Sequence, residues 1–399
     1  MKQLSPTQAI VIVGAIQFVY LLDFIMLLPL GPDLARALAF SSDKLGWLSA
    51  AYTSAAVLSG LLSVRLLDRY DRRSVLLLAF GAVGLCTLAA TFASGLWTLM
   101  LARALTGLCG GPAIALGMAL IIDSTPPERR GRAIGKVMLG FSAAVIAGVP
   151  MALELARWGG WRLPFYAVAA MAALVWLLAA VRLPSLRNHL EPDRRHAVSA
   201  RSLLARPAVR AACLMQALSQ FSAFLVIPQF SAYLLLNLGF PRERLGMLYF
   251  AGGVAALVTV QLLGRLADRA GALPAAAIAT LAFCAGLAPF FNLGALPLVL
   301  PFILFMAGNA GRNVTLAAIT SQVPAPHERA GFMSLQNIVQ DLAISAAALS
   351  SSLLLGQRAD GGLTGMDTVA LLSAGLSVMV LAALLRLRWR LPLAQLRRQ

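Results

Sequence analysis

Twelve long apolar runs account for most of this 399-residue chain. Each is close to the roughly 20 residues that an α-helix needs to cross the hydrocarbon core of a bilayer. Hydrophobic residues make up 59% of the chain and charged residues 12%, whereas soluble domains average about 45–50% apolar residues. We therefore predict an all-α membrane protein and exclude a soluble enzyme, a secreted disulfide scaffold and a disordered chain. The predicted spans are 8–35, 45–64, 74–93, 96–122, 132–155, 162–183, 208–237, 244–264, 273–292, 296–322, 331–356 and 367–388.

The formal net charge of +17 also fits a nucleic-acid-binding protein. The basic residues, however, lie in short clusters between the apolar runs and form no single face, so we expect no nucleic-acid partner. Most of the 33 basic residues fall in loops on one side of the predicted membrane, which the positive-inside rule assigns to the cytoplasm. The chain is thus expected in a bacterial-type inner membrane, embedded in the bilayer, with both termini cytoplasmic. The basic residues of the opposite side are Arg36, Lys44, Arg157, Arg162, Arg242, Arg244 and Arg358.

A polar stretch rich in Arg and Pro, residues 184–207, divides the chain near its middle. We predict an N-terminal six-helix bundle over 1–183, a cytoplasmic linker over 184–207 and a C-terminal six-helix bundle with a basic cytoplasmic tail over 208–399. The linker is interpreted as a tether between the bundles, and the alternative is that it binds acidic lipid.

An internal repeat supports this division. Residues 66–69 (LLDR) match 266–269 (LADR), and residues 126–131 (PPERRG) match 326–331 (PHERAG), both at an offset of 200 residues. Two matches at one offset, in equivalent loops, indicate duplication. Two six-span halves related as parallel repeats, by a pseudo-two-fold axis, are typical of transporters that handle substrate where the halves meet.

The loop sequence of residues 264–271 (GRLADRAG) resembles the signature of the major facilitator superfamily. It lies between spans eight and nine, where a second copy belongs. The first copy, residues 64–73, keeps the Asp and Arg residues but has Val64 and Asp71 in place of two glycines. The resemblance implies a transporter that works by alternating access.

Within that superfamily the chain is most similar to the bacterial drug and sugar efflux group of proton antiporters. This narrower resemblance rests on Leu22-Asp23-Phe24 in span one and on Arg103 followed by Gly107 and Gly111 in span four. The glycine-rich signature of span five is mostly missing, since Val149 precedes Pro150.

Four charged residues lie inside predicted spans, namely Asp23, Arg103, Arg312 and Asp341. Each costs about 2.5–3.5 kcal/mol on insertion scales, so each needs a reason. Asp23 shares a helical face with Tyr20, and we expect it to couple protons or to contact a cationic substrate, the alternative being a structural acid paired with a neighbouring helix. The resemblance implies a part in proton coupling for Arg103, the alternative being a structural ion pair. Asp341 is the third candidate for proton coupling.

Polar side chains recur along three spans of the second half. The resemblance implies that spans ten and eleven line the central cavity, and we expect an ion pair between Arg312 and Asp341 there, because unpaired buried ions are costly. The amides of span seven either bind ligand or hydrogen-bond between helices. The predicted substrate-cavity residues are Tyr20, Gln216, Gln220, Asn309, Arg312, Asn313, Asn337 and Gln340.

The two copies of the loop signature also predict a cytoplasmic gate. A carboxylate such as Asp68 can cap a helix N-terminus of the facing half, and the resemblance implies that this latch stabilises the state closed to the cytoplasm. The alternative is a solvated cluster of topogenic charges. The predicted gate residues are Asp68, Arg69, Arg72, Asp268 and Arg269.

The sequence contains no Cys/His cluster with metal spacing, no Walker-type phosphate loop and no evident catalytic Ser/His/Asp set. We therefore expect no enzyme, no cofactor and no direct use of ATP. The predicted function is proton-coupled efflux of a small amphipathic solute across the inner membrane by a monomer. The alternative is a proton-coupled importer of a narrow metabolite (a sugar, an organic acid or a siderophore), and a remote alternative is an intramembrane enzyme or a receptor.

Overall fold

Over the residues that the structure describes, the fold is all-α apart from one short hairpin. The computed structural model describes residues 6–66, 71–125, 129–183, 200–291, 297–325 and 328–390. Its helices and strands are α1 Pro6–Ile25, α2 Leu27–Ala37, α3 Leu45–Leu66, α4 Arg72–Ala90, α5 Leu96–Ser124, α6 Arg130–Ala143, α7 Val149–Gly159, α8 Arg162–Arg182, α9 Ala200–Leu204, α10 Pro207–Phe224, α11 Ile227–Leu236, α12 Leu245–Ala270, α13 Ala272–Gly286, α14 Val299–Thr320, α15 Arg329–Leu354, β1 Gly356–Gln357, β2 Leu363–Thr364 and α16 Met366–Arg390.

Each apolar run predicted from the sequence is mostly helical over its described residues. Among the described residues, ten helical segments are long and apolar enough to cross a membrane, and α13 is a shorter apolar helix of 15 residues. The lengths of these helices agree with the membrane character predicted from the composition. The antiparallel pairing of β1 with β2, between α15 and α16, was not predicted, because two residues per strand leave no periodic signal.

Three of the predicted spans are interrupted helices. The first breaks at Met26 between α1 and α2, and the seventh breaks between α10 and α11, just before Pro228. In the fifth, a π-helical turn over Ala144–Gly148 joins α6 to α7, whose second residue is Pro150. Proline has no N–H to donate to the preceding turn, so it is tolerated where a new helix begins. The first and seventh spans are equivalent in the sequence repeat, and both are broken near a proline.

Close packing of α3 against α5 depends on glycine. A Cβ placed at Gly107 would collide with the carbonyl oxygen of Tyr52, and one at Gly111 would collide with the Oγ of Ser59. The small residues that follow Arg103 therefore let two helices approach at backbone distance, as the spacing predicts.

The described chain divides into two compact units. The first contains α1–α8 and α11, the start of α12 up to Phe250, the end of α15 from Ile344, and the hairpin. The second contains α9, α10, α13, α14 and α16 with the remaining parts of α12 and α15. The division predicted from the sequence, with a linker over 184–207, stays a prediction, and residues 184–199 lie outside the described residues.

Candidate functional site

Asp23 and Arg103 form a fully buried ion pair between α1 and α5. Both side chains are 0% exposed. The Nη2 and Nη1 of Arg103 donate to Oδ2 and Oδ1 of Asp23 at 2.6 and 3.0 Å, and Nη2 also reaches the Asp23 carbonyl oxygen at 3.1 Å. This fork-to-carboxylate geometry is the strongest form of the charge-assisted hydrogen bond. Arg103 therefore has an ion-pair partner, and that partner is Asp23.

A third helix completes the coordination of this carboxylate. The hydroxyl of Thr87 of α4 lies 2.9 Å from Oδ1 of Asp23 and 2.9 Å from the carbonyl oxygen of Val83, so these two acceptors share its single proton. Asp23 is therefore held by two helices besides its own. The sequence analysis missed Thr87, because a lone threonine in an apolar run has no distinguishing signal.

An aromatic ring of α3 covers the guanidinium of Arg103, and two rings of α1 pack against that ring. The ring centroid of Tyr52 lies 4.8 Å from the Cζ of Arg103, within the range of a cation–π contact. Tyr52 in turn packs against Phe24 and Tyr20, with centroids 4.9 and 5.9 Å apart. Tyr20, predicted to line the substrate cavity, is half-buried in this aromatic group.

The second unit has a buried arginine of its own, with neutral partners. Arg312 of α14 is 4% exposed. Its Nη2 donates to the hydroxyls of Ser222 at 2.6 Å and Ser219 at 3.1 Å, and to the Ser219 carbonyl oxygen at 3.1 Å. Its Cζ lies 4.2 Å from the ring centroid of Phe283.

The predicted ion pair between Arg312 and Asp341 is therefore wrong. The prediction assumed that only a carboxylate could compensate a buried guanidinium. Serine oxygens, one backbone carbonyl and an aromatic face take that place here, and Nε and Nη1 of Arg312 have no hydrogen-bond partner among the described residues. The two serines belong to a wider group, since Ser373 donates to the Ser222 carbonyl oxygen at 2.6 Å and Ser377 lies 3.3 Å from the Ser222 hydroxyl.

The other predicted polar residues of the second unit are distributed along three helices. Gln216 of α10 donates its amide to the Oε1 of Gln340 of α15 at 2.8 Å, which is the interhelical bond that the sequence left as an alternative. Asp341 is half-buried and Asn337 is exposed. Asn309 and Asn313 are half-buried on α14, and Gln220 is buried on α10.

The structure describes only some residues of the predicted cytoplasmic gate. Asp68 and Arg69 lie outside the described residues, and Arg72 is the first residue of α4. The neighbouring Asp71 caps α4, accepting from the backbone N–H of Arg73 and the hydroxyl of Ser74, both at 3.3 Å. In the second copy, Asp268 and Arg269 are exposed in the last turn of α12.

A polar seam joins α2 and α11 inside the first unit, and we call it the α2–α11 seam. Arg242, just before α12, makes an ion pair with Asp33 of α2, in which its Nη2 and Nε donate to Oδ2 at 2.5 and 3.0 Å. The buried Gln229 of α11 donates its amide to the Asp43 carbonyl oxygen at 3.0 Å. These contacts link residues about 190–210 positions apart in the chain, so no local pattern could predict them.

Comparison with known proteins decides the family. The sequence profile of the Major Facilitator Superfamily matches residues 13–348. The chain belongs to this superfamily.

The resemblance to the superfamily that the loop signature indicates is thus confirmed. The narrower resemblance to its efflux group is also confirmed, because relatives of this chain are efflux transporters. The inner membrane transport protein YdhP of Escherichia coli K12 is 28% identical over 354 residues, covering 87% of this chain and 85% of the relative. The purine ribonucleoside efflux pump NepI of Escherichia coli O157:H7 is 29% identical over 232 residues, 57% of each chain. The crystal structure of a point mutant of the nucleoside transporter NupG shares the fold with a TM-score of 0.75 at 15% identity, covering 96% of this chain and 99% of that one.

This superfamily member is therefore a multi-pass membrane transporter of small molecules and not an enzyme. Across the part of the chain that the structure describes, no group of three or more His, Cys, Asp or Glu side chains could hold a metal ion. The four cysteines are free thiols. The arrangement provides a buried ion pair in the first unit and a buried guanidinium among neutral oxygens in the second.

Proposed function

We propose that this protein exports a small, polar, amphipathic solute across a bacterial inner membrane in exchange for protons, by alternating access. The observation that carries the proposal is the buried pair of Asp23 and Arg103, held by α1, α4 and α5. It is the one ion pair among the described residues in which both side chains are fully enclosed.

Such a pair links protonation to structure. While it is intact, the two charges compensate each other in a low-dielectric setting. A proton on Asp23 would remove the negative charge and leave Arg103 uncompensated, and an uncompensated buried charge costs about 3–5 kcal/mol. That cost favours any rearrangement of α1 against α5 that gives the guanidinium new partners. Proton binding thereby shifts the population of conformations.

The substrate class follows from the neutral polar groups of the second unit. The half-buried amides of Asn309 and Asn313 on α14 offer donors and acceptors without net charge. Gln216 and Gln340 would offer theirs by giving up their mutual hydrogen bond. Such groups suit hydroxylated or heterocyclic solutes. Among the relatives, NepI is a purine ribonucleoside efflux pump and another is a probable sugar efflux transporter of Helicobacter pylori. Nucleosides and sugars are therefore the first solutes to test.

The proposed topology has twelve spans in two six-helix halves, with both termini in the cytoplasm and a monomer as the working form. The distribution of arginine supports the orientation. In this topology the α2–α11 seam lies at the outer end, where it joins the first span to the seventh. Opening the outer side would require the ion pair of Asp33 and Arg242 to separate. The latch formed by Asp68 remains part of the proposal.

Transport in proteoliposomes tests the coupling. Purified protein would be reconstituted with a radiolabelled purine nucleoside or sugar and driven by an imposed pH gradient. Wild type should accumulate the solute against its gradient. Asp23→Asn should lose accumulation but keep solute-for-solute counterflow, because exchange without net proton movement needs no titrating group.

Glu154→Gln supplies the matched control, since it also neutralises one carboxylate but in an exposed pair with Arg157. It should transport like wild type. Accumulation by Asp23→Asn at the wild-type level would refute the role of Asp23 in coupling. Loss of both accumulation and counterflow would point to a structural role for the pair instead.

One observation supports the alternative function, which is the import of a narrow metabolite. Arg312 is a buried cation without a carboxylate partner among the described residues, and a buried cation favours an anionic ligand. The test is uptake of an organic acid in the presence of a nucleoside or sugar. Import would be favoured over efflux if these solutes compete with the acid and if Arg312→Gln loses the uptake.

A further inference from the structure

An apolar groove runs between α4 and α8 on the surface of the first unit. We propose that this groove binds one acyl chain of an anionic phospholipid. Arginines at one end of the groove hold the phosphate of that lipid. This inference concerns a lipid site and does not depend on which solute the protein transports. The groove encloses a cavity of about 800 Å³, a size typical of small-molecule sites, which span about 300–1,000 Å³.

The groove arises from the sizes of the side chains on two antiparallel helices. Its floor consists of small residues, including Gly81 and Gly84 of α4 and Ala172 of α8. A Cβ on Gly84 would lie only 3.1 Å from the Cβ of Ala172, so the helices already approach closely there. The walls are large exposed side chains, Leu78 and Leu85. A channel with a small-residue floor and large walls fits a linear hydrocarbon chain.

Trp176 shapes the end of the groove that lies nearest the start of α4. Its indole N–H donates to the Leu77 carbonyl oxygen at 2.8 Å, so the ring is fixed across the two helices. A Cβ at Gly81 would lie 2.9 Å from that indole nitrogen, so glycine makes room for the ring. Tryptophan is enriched at the headgroup level of membranes, because its ring is apolar and its N–H is polar.

The length of the groove matches a single leaflet. Eleven residues separate Leu77 from Leu88, which is about 16 Å along a helix that rises about 1.5 Å per residue. Half of the hydrocarbon core of a bilayer is about 15 Å. The length of the groove therefore fits an acyl chain from one leaflet.

The charged residues at the Trp176 end of the groove favour an anionic lipid over a zwitterionic one. Arg72 and Arg73 begin α4, and Arg182 ends α8 and is exposed. Arg73 ties the helix ends together by donating from Nη2 to the Ala180 carbonyl oxygen at 2.7 Å. Asp71, the carboxylate next to Arg72 in the chain, caps α4. The guanidinium groups at this end attract an anionic headgroup, as basic pockets between membrane helices do.

Fluorescence quenching by brominated lipids tests the site, because Trp176 is part of it. A full-length variant that keeps Trp176 and carries Phe at the other tryptophans would be reconstituted in phosphatidylcholine vesicles. Brominated phosphatidylglycerol should quench Trp176 at about one-fifth of the mole fraction that brominated phosphatidylcholine requires, the ratio expected for one arginine contact worth about 1 kcal/mol. Native mass spectrometry of the unmodified chain should show retained phosphatidylglycerol.

Two variants separate the headgroup site from the groove. Arg72→Gln with Arg182→Gln should abolish the preference for phosphatidylglycerol and leave quenching by phosphatidylcholine unchanged. Arg210→Gln with Arg265→Gln, which removes the same charge at exposed positions of other helices, should keep the preference. Ala173→Leu, at an exposed position in the groove, should reduce quenching by both lipids.

Three results would overturn the proposal. Equal quenching by both lipids would mean that the groove holds a chain without regard to charge. An unchanged preference in the variant with Gln at positions 72 and 182 would place the anionic site elsewhere. An absence of quenching by either lipid, together with two-step photobleaching of single labelled particles, would show that a second copy of the chain covers the groove.

Discussion

Removing the positive charge of Arg103 should destabilise the protein more than removing both charges of its pair. In Arg103→Met, the carboxylate of Asp23 keeps the hydroxyl of Thr87 but loses two guanidinium hydrogen bonds. At an effective dielectric constant of about 20, two unit charges about 4 Å apart attract each other by about 4 kcal/mol. The expected loss of unfolding free energy is about 3–5 kcal/mol, the range for breaking one side of a buried pair.

The double variant Asp23→Asn with Arg103→Met should recover most of that loss, because no charge is then left uncompensated and Asn still accepts from Thr87. The measurement is unfolding by SDS in mixed micelles, followed by tryptophan fluorescence. Arg157→Met is the control, since it breaks an exposed pair with Glu154 that is worth at most about 1 kcal/mol. A double variant as unstable as the single one would refute the charge argument and assign the effect to packing.

The remaining predictions concern the seam, the α3–α5 contact and the second arginine. Arg242→Gln should speed thiol labelling of a cysteine introduced on the α11 side of the seam, and exchanging the charges with Asp33 should restore the slow rate. Gly107→Val should reduce the yield of folded protein on size exclusion by several-fold, because its side chain would collide with the Tyr52 carbonyl oxygen. Arg312→Lys should fold with a lower melting temperature, since an ammonium lacks the planar face that a guanidinium packs on the Phe283 ring; an unchanged melting temperature would contradict that.

The loop signatures and the spacing of apolar runs were enough to predict the family, the helical spans and the residues that deserved attention in the first half. Asp23 and Arg103 stood out because charges inside apolar runs are rare, and the glycines after Arg103 predicted a close helix contact that the structure shows. Helix breaks could be anticipated only approximately, since Pro228 and Pro150 mark where a helix restarts but not how its partner helices pack.

The partners of the buried charges were decided by tertiary structure alone. Nothing in the local sequence distinguishes Asp23 from Asp341 as a partner for an arginine, because both lie in apolar helices. The fold places Asp23 against Arg103 and places serines of α10 against Arg312. Hydropathy reports how much a segment avoids water, so the sequence determined which segments enter the membrane. Which side chains meet there depends on helix rotation and on contacts across about 80–210 residues of chain, and only the packed structure specifies these.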